Sequence, residues 1–364
     1  MTALREAIQA NAPLWLAIGG FAIGALFGGL VYRTNFCAMG AISDIVNLDD
    51  WRRMRAWLLA AATALLGAQV LDWTGIVELK RSMYLAPSFN WLGNALGGLM
   101  FGVGMVFAGG CASRNLARAG GGDLRSLVTL LVLGVFAYVA VGGLLGPLRS
   151  LLDQSTSVAL PAKSQSLGDI AAYALGLSAQ TGSKAVTAVV VLAVAAYCFG
   201  NAEFRSSPPH IAAGLGIGIC TMLGWALTGL AFDDLADRPV SPISLTYVRP
   251  TGDAIEWMQR FTAARMPSFG VASVFGAIFG SFIAAKSMGR FRLTTFADAG
   301  DTSRCLLGAA LMGAGGVMAL GCTVGQAITG VSTLALGSFV TFVALVIGGL
   351  IGVKLLERWL LAEG

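Results

Sequence analysis

Three of the six cysteines in this 364-residue chain stand in phrases that interrupt apolar runs: TNFC ending at Cys37, GGCASR around Cys111 and GCTVGQ around Cys322. Thiols so placed can pair as disulfides, ligate a soft metal, attack sulphur as nucleophiles, or donate a weak neutral hydrogen bond to a passing anion. No two cysteines have CxxC spacing, and the single histidine, His210, leaves no haem or metal ligand set. No cofactor or metal is expected. Cys198, Cys220 and Cys305 lie in or at the ends of apolar stretches, where cysteine serves as a small buried hydrophobe.

Glycine patterns around two of the thiols repeat. LGGLMFGVGMVFAGGC, ending at Cys111, and LGAALMGAGGVMALGC, ending at Cys322, recur about 211 residues apart. They match at Gly97/Gly308, Gly102/Gly313, Gly104/Gly315, Val106/Val317, Ala108/Ala319, Gly110/Gly321 and the cysteines themselves. So many glycines in register point to an internal repeat with a smooth helix face. The stripes also fit ordinary close helix packing, and packing glycines such as Gly280 are expected to tolerate alanine better than Gly110 and Gly321, where the chain is expected to leave the helix and turn inward.

The elements that hold these phrases are membrane helices. Hydrophobic residues make up 56% and charged residues 12% of the chain, with a mean hydropathy of +0.75, more apolar surface than a soluble core can hide. About nine apolar stretches follow one another, near Leu14–Tyr32, Ala56–Ile76, Trp91–Gly109, Leu127–Leu148, Ala185–Gly200, His210–Ala231, Ser268–Lys286, Leu306–Leu320 and Leu334–Leu356. Long runs without two-residue alternation mean helices, not a barrel, so the fold class is an all-α integral membrane protein. The first run reads as a retained helix without a signal peptide. Tryptophans near span ends, Trp51, Trp57, Trp73, Trp91 and Trp359, read as interfacial anchors. A net charge of +5, with no basic groove or aromatic platform, argues against nucleic-acid binding.

Nine spans place the termini on opposite sides. Arginines and lysines favour the side facing the connections after spans one, three, five and seven, which puts the N-terminus outside and the C-terminus in the cytoplasm. The long connection Asp233–Pro267, opening with Asp233, Asp234 and Asp237, then lies outside. The two glycine copies occupy spans three and eight, an odd offset, so the halves 1–180 and 181–364 are expected to be inverted about an axis in the membrane plane. After Cys111 and Cys322 run ASRNLARAGGGD and TVGQAITGVST, too polar to span and too apolar for free loops. They read as re-entrant segments, as does RTNFCAMGAISDIV around Cys37, whose counterpart is expected at Trp225–Leu230.

The phrases TNFC, GGCASR and GCTVGQ, set after glycine-rich helices, resemble those of the YeeE/YedE sulphur-transport family, most closely its full-length thiosulfate uptake members. The resemblance covers nearly the whole chain. It implies an hourglass-shaped bacterial inner-membrane protein whose re-entrant loops meet at a constriction, with Cys37, Cys111 and Cys322 lining the route of the thiosulfate ion. It further implies a TusA-like cytoplasmic sulfurtransferase as consuming partner. Relatives in selenium metabolism leave another sulphur or selenium species open as the cargo, and a membrane thiol oxidoreductase or sulfurtransferase is the competing class.

Thiol chemistry agrees with permeation. Thiosulfate is a dianion with a soft terminal sulphur, and a neutral S–H can hold it without adding charge. Loose successive sites let an ion leave as well as enter. Gly110, Gly321, Asn35, Arg114, Asn115, Thr323 and Gln326 are the candidate lining or supporting residues. Arg114 fits an anion attractor or a topology charge; Asn115 and Gln326, at matching repeat positions, fit amide donors to the ion or helix caps. Bringing a dianion into a cell against 100 mV costs about 4.6 kcal/mol. The spans carry almost no acidic relay, so a facilitated route kept downhill by cytoplasmic consumption is expected.

Overall fold

The computed structural model describes residues 2–162, 164–236, 239–263 and 265–363; Asp237 lies outside the described residues. It is almost wholly helical. The helices are α1 (Thr2–Ala10), α2 (Ala12–Thr34), α3 (Ala38–Leu48), α4 (Arg52–Trp73), α5 (Trp91–Phe107), α6 (Ala112–Gly120), α7 (Leu124–Val141) and α8 (Gly146–Thr156). They continue as α9 (Leu167–Leu175), α10 (Ala179–Phe199), α11 (Ala202–Arg205), α12 (Pro208–Ala231), α13 (Arg249–Gln259), α14 (Phe269–Ser287), α15 (Ala299–Met318) and α16 (Leu336–Glu363). A π-helical turn spans Gly325–Gly330, and a two-stranded ribbon pairs Ser88–Asn90 with Ser157–Ala159.

Each of the nine expected apolar runs coincides with a helix, and starts are set by ordinary caps. The Asn90 side chain accepts from the Gly93 N–H at 2.9 Å at the head of α5, and Ser268 accepts from Val271 at the head of α14. Proline occupies the first turns of α2, α12 and α13, where its missing N–H costs nothing. Among the described residues, eight helices are long and apolar enough to cross a membrane. α15 is not among them, because Asp301 and Arg304 stand in its opening turns.

Glycine decides how the helices meet. Gly20, Gly24 and Gly28 of α2 face Phe269, Ser273 and Ala277 of α14, and Gly214 and Gly218 of α12 face Ala56 and Ala60 of α4. Residue numbers rise together in both pairs, so each pair is parallel. α5 meets α15 in the opposite sense: Gly97 lies against Gly315 and Ala319, Gly104 against Gly308 and Met312. α2 and α12 are antiparallel as well, with Gly19 on Leu227 and Gly216 on Leu30. Exchanging α2 with α12, α3 with α13, α4 with α14, α5 with α15 and α7 with α16 returns the same packing pairs. The equivalent helices thus run in opposite directions through the molecule.

That exchange corrects one expectation. Trp225–Leu230 is regular helix inside α12, not a re-entrant segment. The element corresponding to the Cys37 segment is the stretch 243–248 with α13. Leu245, Tyr247 and Val248 are buried, the Ser244 hydroxyl donates to the Thr221 carbonyl at 2.6 Å, and the Thr329 hydroxyl donates to that of Leu245 at 2.6 Å. Much of the connection read as external therefore enters the core. Cys37 caps α3 and Val248 occupies the same position before α13.

Trp57 is also not an interfacial anchor. It is 3% exposed and stacks on Phe36 with ring centroids 4.7 Å apart. Trp51 and Trp91 are exposed, as the anchoring reading expects.

Candidate functional site

Each of the three thiols stands where a long helix has stopped and a short one begins. Cys37 caps α3 and accepts from the Gly40 N–H at 3.3 Å; Cys322 accepts from the Gly325 N–H at 3.3 Å. Cys111 caps α6, its sulphur 3.3 Å from the Ser113 hydroxyl. At 1.5 Å per residue the nine residues of α6 extend only about 14 Å, too short to cross a bilayer. These helix starts direct N–H groups and the positive end of the dipole toward the thiols.

The breaks are enforced by backbone and amides together. Gly109 (φ +68°) and Leu320 (φ +60°) are the left-handed residues that end α5 and α15. The turn residue is therefore one position earlier than Gly110 and Gly321. Gly110 adopts φ +157°, a conformation hard for other residues, and an added Cβ would lie 3.0 Å from Arg114 Cγ. Gly321 has no such backbone demand, and its Cβ would approach Gln326 Cγ at 3.3 Å.

Asn115 and Gln326 act as caps. Asn115 Nδ2 donates to the Gly110 carbonyl at 2.7 Å and the Cys111 carbonyl at 3.2 Å. Gln326 Nε2 donates to the Ala319 carbonyl, and its Oε1 accepts from the Ser338 hydroxyl at 2.6 Å. Both amide nitrogens are thus committed to backbone. The two side chains pin the same break in the two repeats, which is why they occupy matching positions.

All three thiols are shielded: Cys37 is 6% exposed, Cys111 and Cys322 0%. Cys111 lies within electrostatic reach of Cys37, of Cys322 and of the Arg114 guanidinium. Cavities approach this group from two sides. One, of about 410 Å³, is bordered by Asn35 and by Arg33, Arg114, Arg118, Arg290 and Arg292. The other, of about 300 Å³, is mostly apolar and reaches Gly321 beside Cys322. The second touches Ser268 and Phe269 at the start of α14, whereas Arg290 and Arg292 follow its end. α14 has 19 residues, so the two cavities are separated by roughly 28 Å of helix.

The arginines of the first cavity differ in what already occupies them. Arg118 donates to Asp123 Oδ2 and to the Gly109 carbonyl at 2.9 Å, tying down the turn before Cys111. Burial alone would raise the Asp123 carboxyl, but Arg118 and Arg125 outweigh it and hold it below the usual carboxylate range. Among the described residues no ion pair is made by Arg33, Arg114, Arg290 or Arg292. Their charge is available to an anion. Asn35, left-handed at φ +56°, closes α2 at this rim. Thr323 is buried beside Cys322.

The remaining thiols serve packing. Cys198 donates to the Arg55 carbonyl at 3.4 Å, Cys220 is buried in α12, and Cys305 sits near Asp301 on α15. Among the described residues no group of histidine, cysteine and carboxylate side chains could hold a metal. His210 shares a hydrogen bond with the Ser207 hydroxyl at 2.6 Å at the start of α12.

Long apolar helices, short helices that begin at buried thiols, and cavities at opposite ends of one spanning helix define a multi-pass membrane transporter. Its family follows from sequence comparison: a family described as "Sulphur transport" matches residues 33–351, and the chain belongs to it. It is similar to the thiosulfate transporter TsuA of Escherichia coli (strain K12), 29% identical over 345 residues, covering 92% of this chain and 92% of that protein. It is also similar to the thiosulfate transporter TsuA of Spirochaeta thermophila, 26% identical over 343 residues, covering 90% of this chain and 96% of its relative. Both are named as transporters, in line with the reading of this chain as a non-enzyme.

Proposed function

We propose that the chain carries thiosulfate across the bacterial inner membrane, with the N-terminus outside and the C-terminus cytoplasmic. The halves 1–180 and 181–364 act as inverted repeats around an hourglass-shaped pathway, with the boundary in the first turn of α10. The ion passes Cys322, then Cys111, then Cys37, held at each step by weak S–H donation and by helix-start amides. The observation that carries this reading is the position of Cys111: fully buried between the two cavities, with the other two thiols and Arg114 within electrostatic reach. The names of the two relatives support thiosulfate as the cargo.

The apolar cavity at Gly321 receives the ion and the arginine cavity collects it on the cytoplasmic side. Arg114 lowers the electrostatic barrier there without being committed to a carboxylate. Consumption by a TusA-like cytoplasmic sulfurtransferase keeps the internal concentration low, which offsets the membrane potential. The test is uptake of labelled thiosulfate by proteoliposomes with sulfite, sulfide and selenium anions as competitors. Strongest competition by unlabelled thiosulfate is expected; uptake blocked better by another anion would reassign the cargo.

A further inference from the structure

Buried polar atoms near the thiols without a partner among the described residues include the Asn115 Oδ1 acceptor and two donors, the Trp57 indole Nε1 and the Thr323 hydroxyl. Trp57 is 3% exposed and Thr323 2%. A buried donor left unpaired costs about as much as a lost hydrogen bond, so two of them require an explanation. The two donors, on Trp57 and Thr323, lie close together. Both residues border one small cavity of about 20 Å³, otherwise walled by Ala38, Ile42, Met105 and Leu345 among others.

The place of that cavity gives it meaning. Ala38 follows Cys37 and Thr323 follows Cys322, so thiol-bearing segments from both parts of the chain meet there. A volume near 20 Å³ admits one water-sized group, the size of a single oxyanion oxygen. The surface it presents is wholly apolar, with the indole N–H and the hydroxyl covered behind its walls. Trp57 is fixed by its stack on Phe36, so its N–H direction is set before any ion arrives.

We propose that Trp57 and Thr323 are oxygen-reading donors: the indole N–H and the hydroxyl take the sulfonate oxygens of the transported ion while its terminal sulphur meets the thiols. The inference rests on the thiosulfate reading above and adds a selectivity element to it. A thiol is a poor donor to a hard oxygen, whereas N–H and O–H are good ones. Two neutral donors hold an oxyanion without trapping it, as permeation requires. Both polar atoms are covered here, so they engage the ion when the cavity walls part.

The experiment is kinetic: labelled thiosulfate uptake by proteoliposomes of wild type, Trp57→Phe, Thr323→Val and Thr323→Ser, each with its thermal midpoint and size-exclusion profile. Phenylalanine keeps an aromatic ring and valine keeps the shape of threonine, so both remove a donor with little change in packing. Each is expected to raise KM about tenfold, the scale of one hydrogen bond to a charged group, with Thr323→Ser restoring the wild-type value. Inhibition by hydrosulfide, which has no oxygen, should be unchanged in all four. Wild-type KM in both Trp57→Phe and Thr323→Val would reduce the pair to packing residues. A defect in Thr323→Ser equal to that in Thr323→Val would assign the effect to shape and overturn the proposal. Failure of the wild-type protein itself to carry thiosulfate would overturn the transport reading and this inference together.

Discussion

Gly280 sits where α14 crosses α2, and, against the expectation from sequence that it would tolerate alanine, alanine there should be poorly tolerated because it meets helix backbone. An added Cβ would lie 2.5 Å from the carbonyl carbon and 2.7 Å from the Cα of Ala25, with the carbonyl oxygen closer still. Ordinary contact begins at 3.4 Å, so α2 would have to retreat by about 0.9 Å or more. What must move is helix backbone, and the same pair of helices is locked at Gly20, Gly24, Gly28 and Gly276. Overpacking costs about 1–3 kcal/mol, and backbone against backbone belongs at the upper end. Gly29 is the internal control: it faces Gly280, yet its Cβ would be 3.5 Å from the Gly280 oxygen. Alanine there should gain up to about 1 kcal/mol of helix propensity. The two variants are therefore expected to shift the thermal midpoint in detergent in opposite directions, their stabilities separated by about 2 kcal/mol or more. Equal midpoints would refute the packing argument.

Arg114→Gln should lower thiosulfate uptake severalfold with an unchanged midpoint, whereas Arg118→Gln should lower the midpoint, because it releases the Gly109 carbonyl and Asp123; matched stability losses in the two would contradict this division. Asp123 is held below the usual carboxylate range, so its contribution is complete above the unfolded value of about 4 and is lost as pH falls through the lower folded value. Midpoints measured from pH 5 to pH 8 should show no step from this group, and a step that Asp123→Asn abolishes would count against the assignment. Leu320→Gly should leave stability unchanged or raise it by up to about 1–2 kcal/mol, read as an equal or higher midpoint, since it relieves a left-handed leucine; a clear loss would show that the Leu320 side chain matters more than its backbone.

Hydropathy made the spans legible, because a bilayer demands long apolar helices and each run marks one. The odd offset of the glycine copies likewise announced that α5 and α15 run in opposite directions, but not that they pack on each other. The stretch 243–248 was hidden because six residues between polar flanks leave no periodic signal, and their burial comes from partners such as Thr221 and Thr329 far away in sequence. For the same reason the arginine cavity could not be read: Arg33 at the end of α2, Arg114 in α6 and Arg290 after α14 are far apart in sequence and meet only after folding. Trp57 looked like an anchor because it sits one turn into a span, and only its stack on Phe36 reveals that it faces inward. Gly280 and Gly29 look alike in sequence; which of them opposes a carbonyl is a matter of helix rotation.

The account stands or falls on the thiols acting as a path. The most direct measurement is labelled thiosulfate uptake by proteoliposomes carrying Cys37→Ala, Cys111→Ala or Cys322→Ala, set against Cys198→Ala and Cys220→Ala at matched reconstitution and with no redox partner present. The account predicts sharp loss of uptake in each of the first three, Cys111→Ala most of all, and near wild-type uptake in the last two; uptake at the wild-type rate when all three of the first group are replaced together would contradict it.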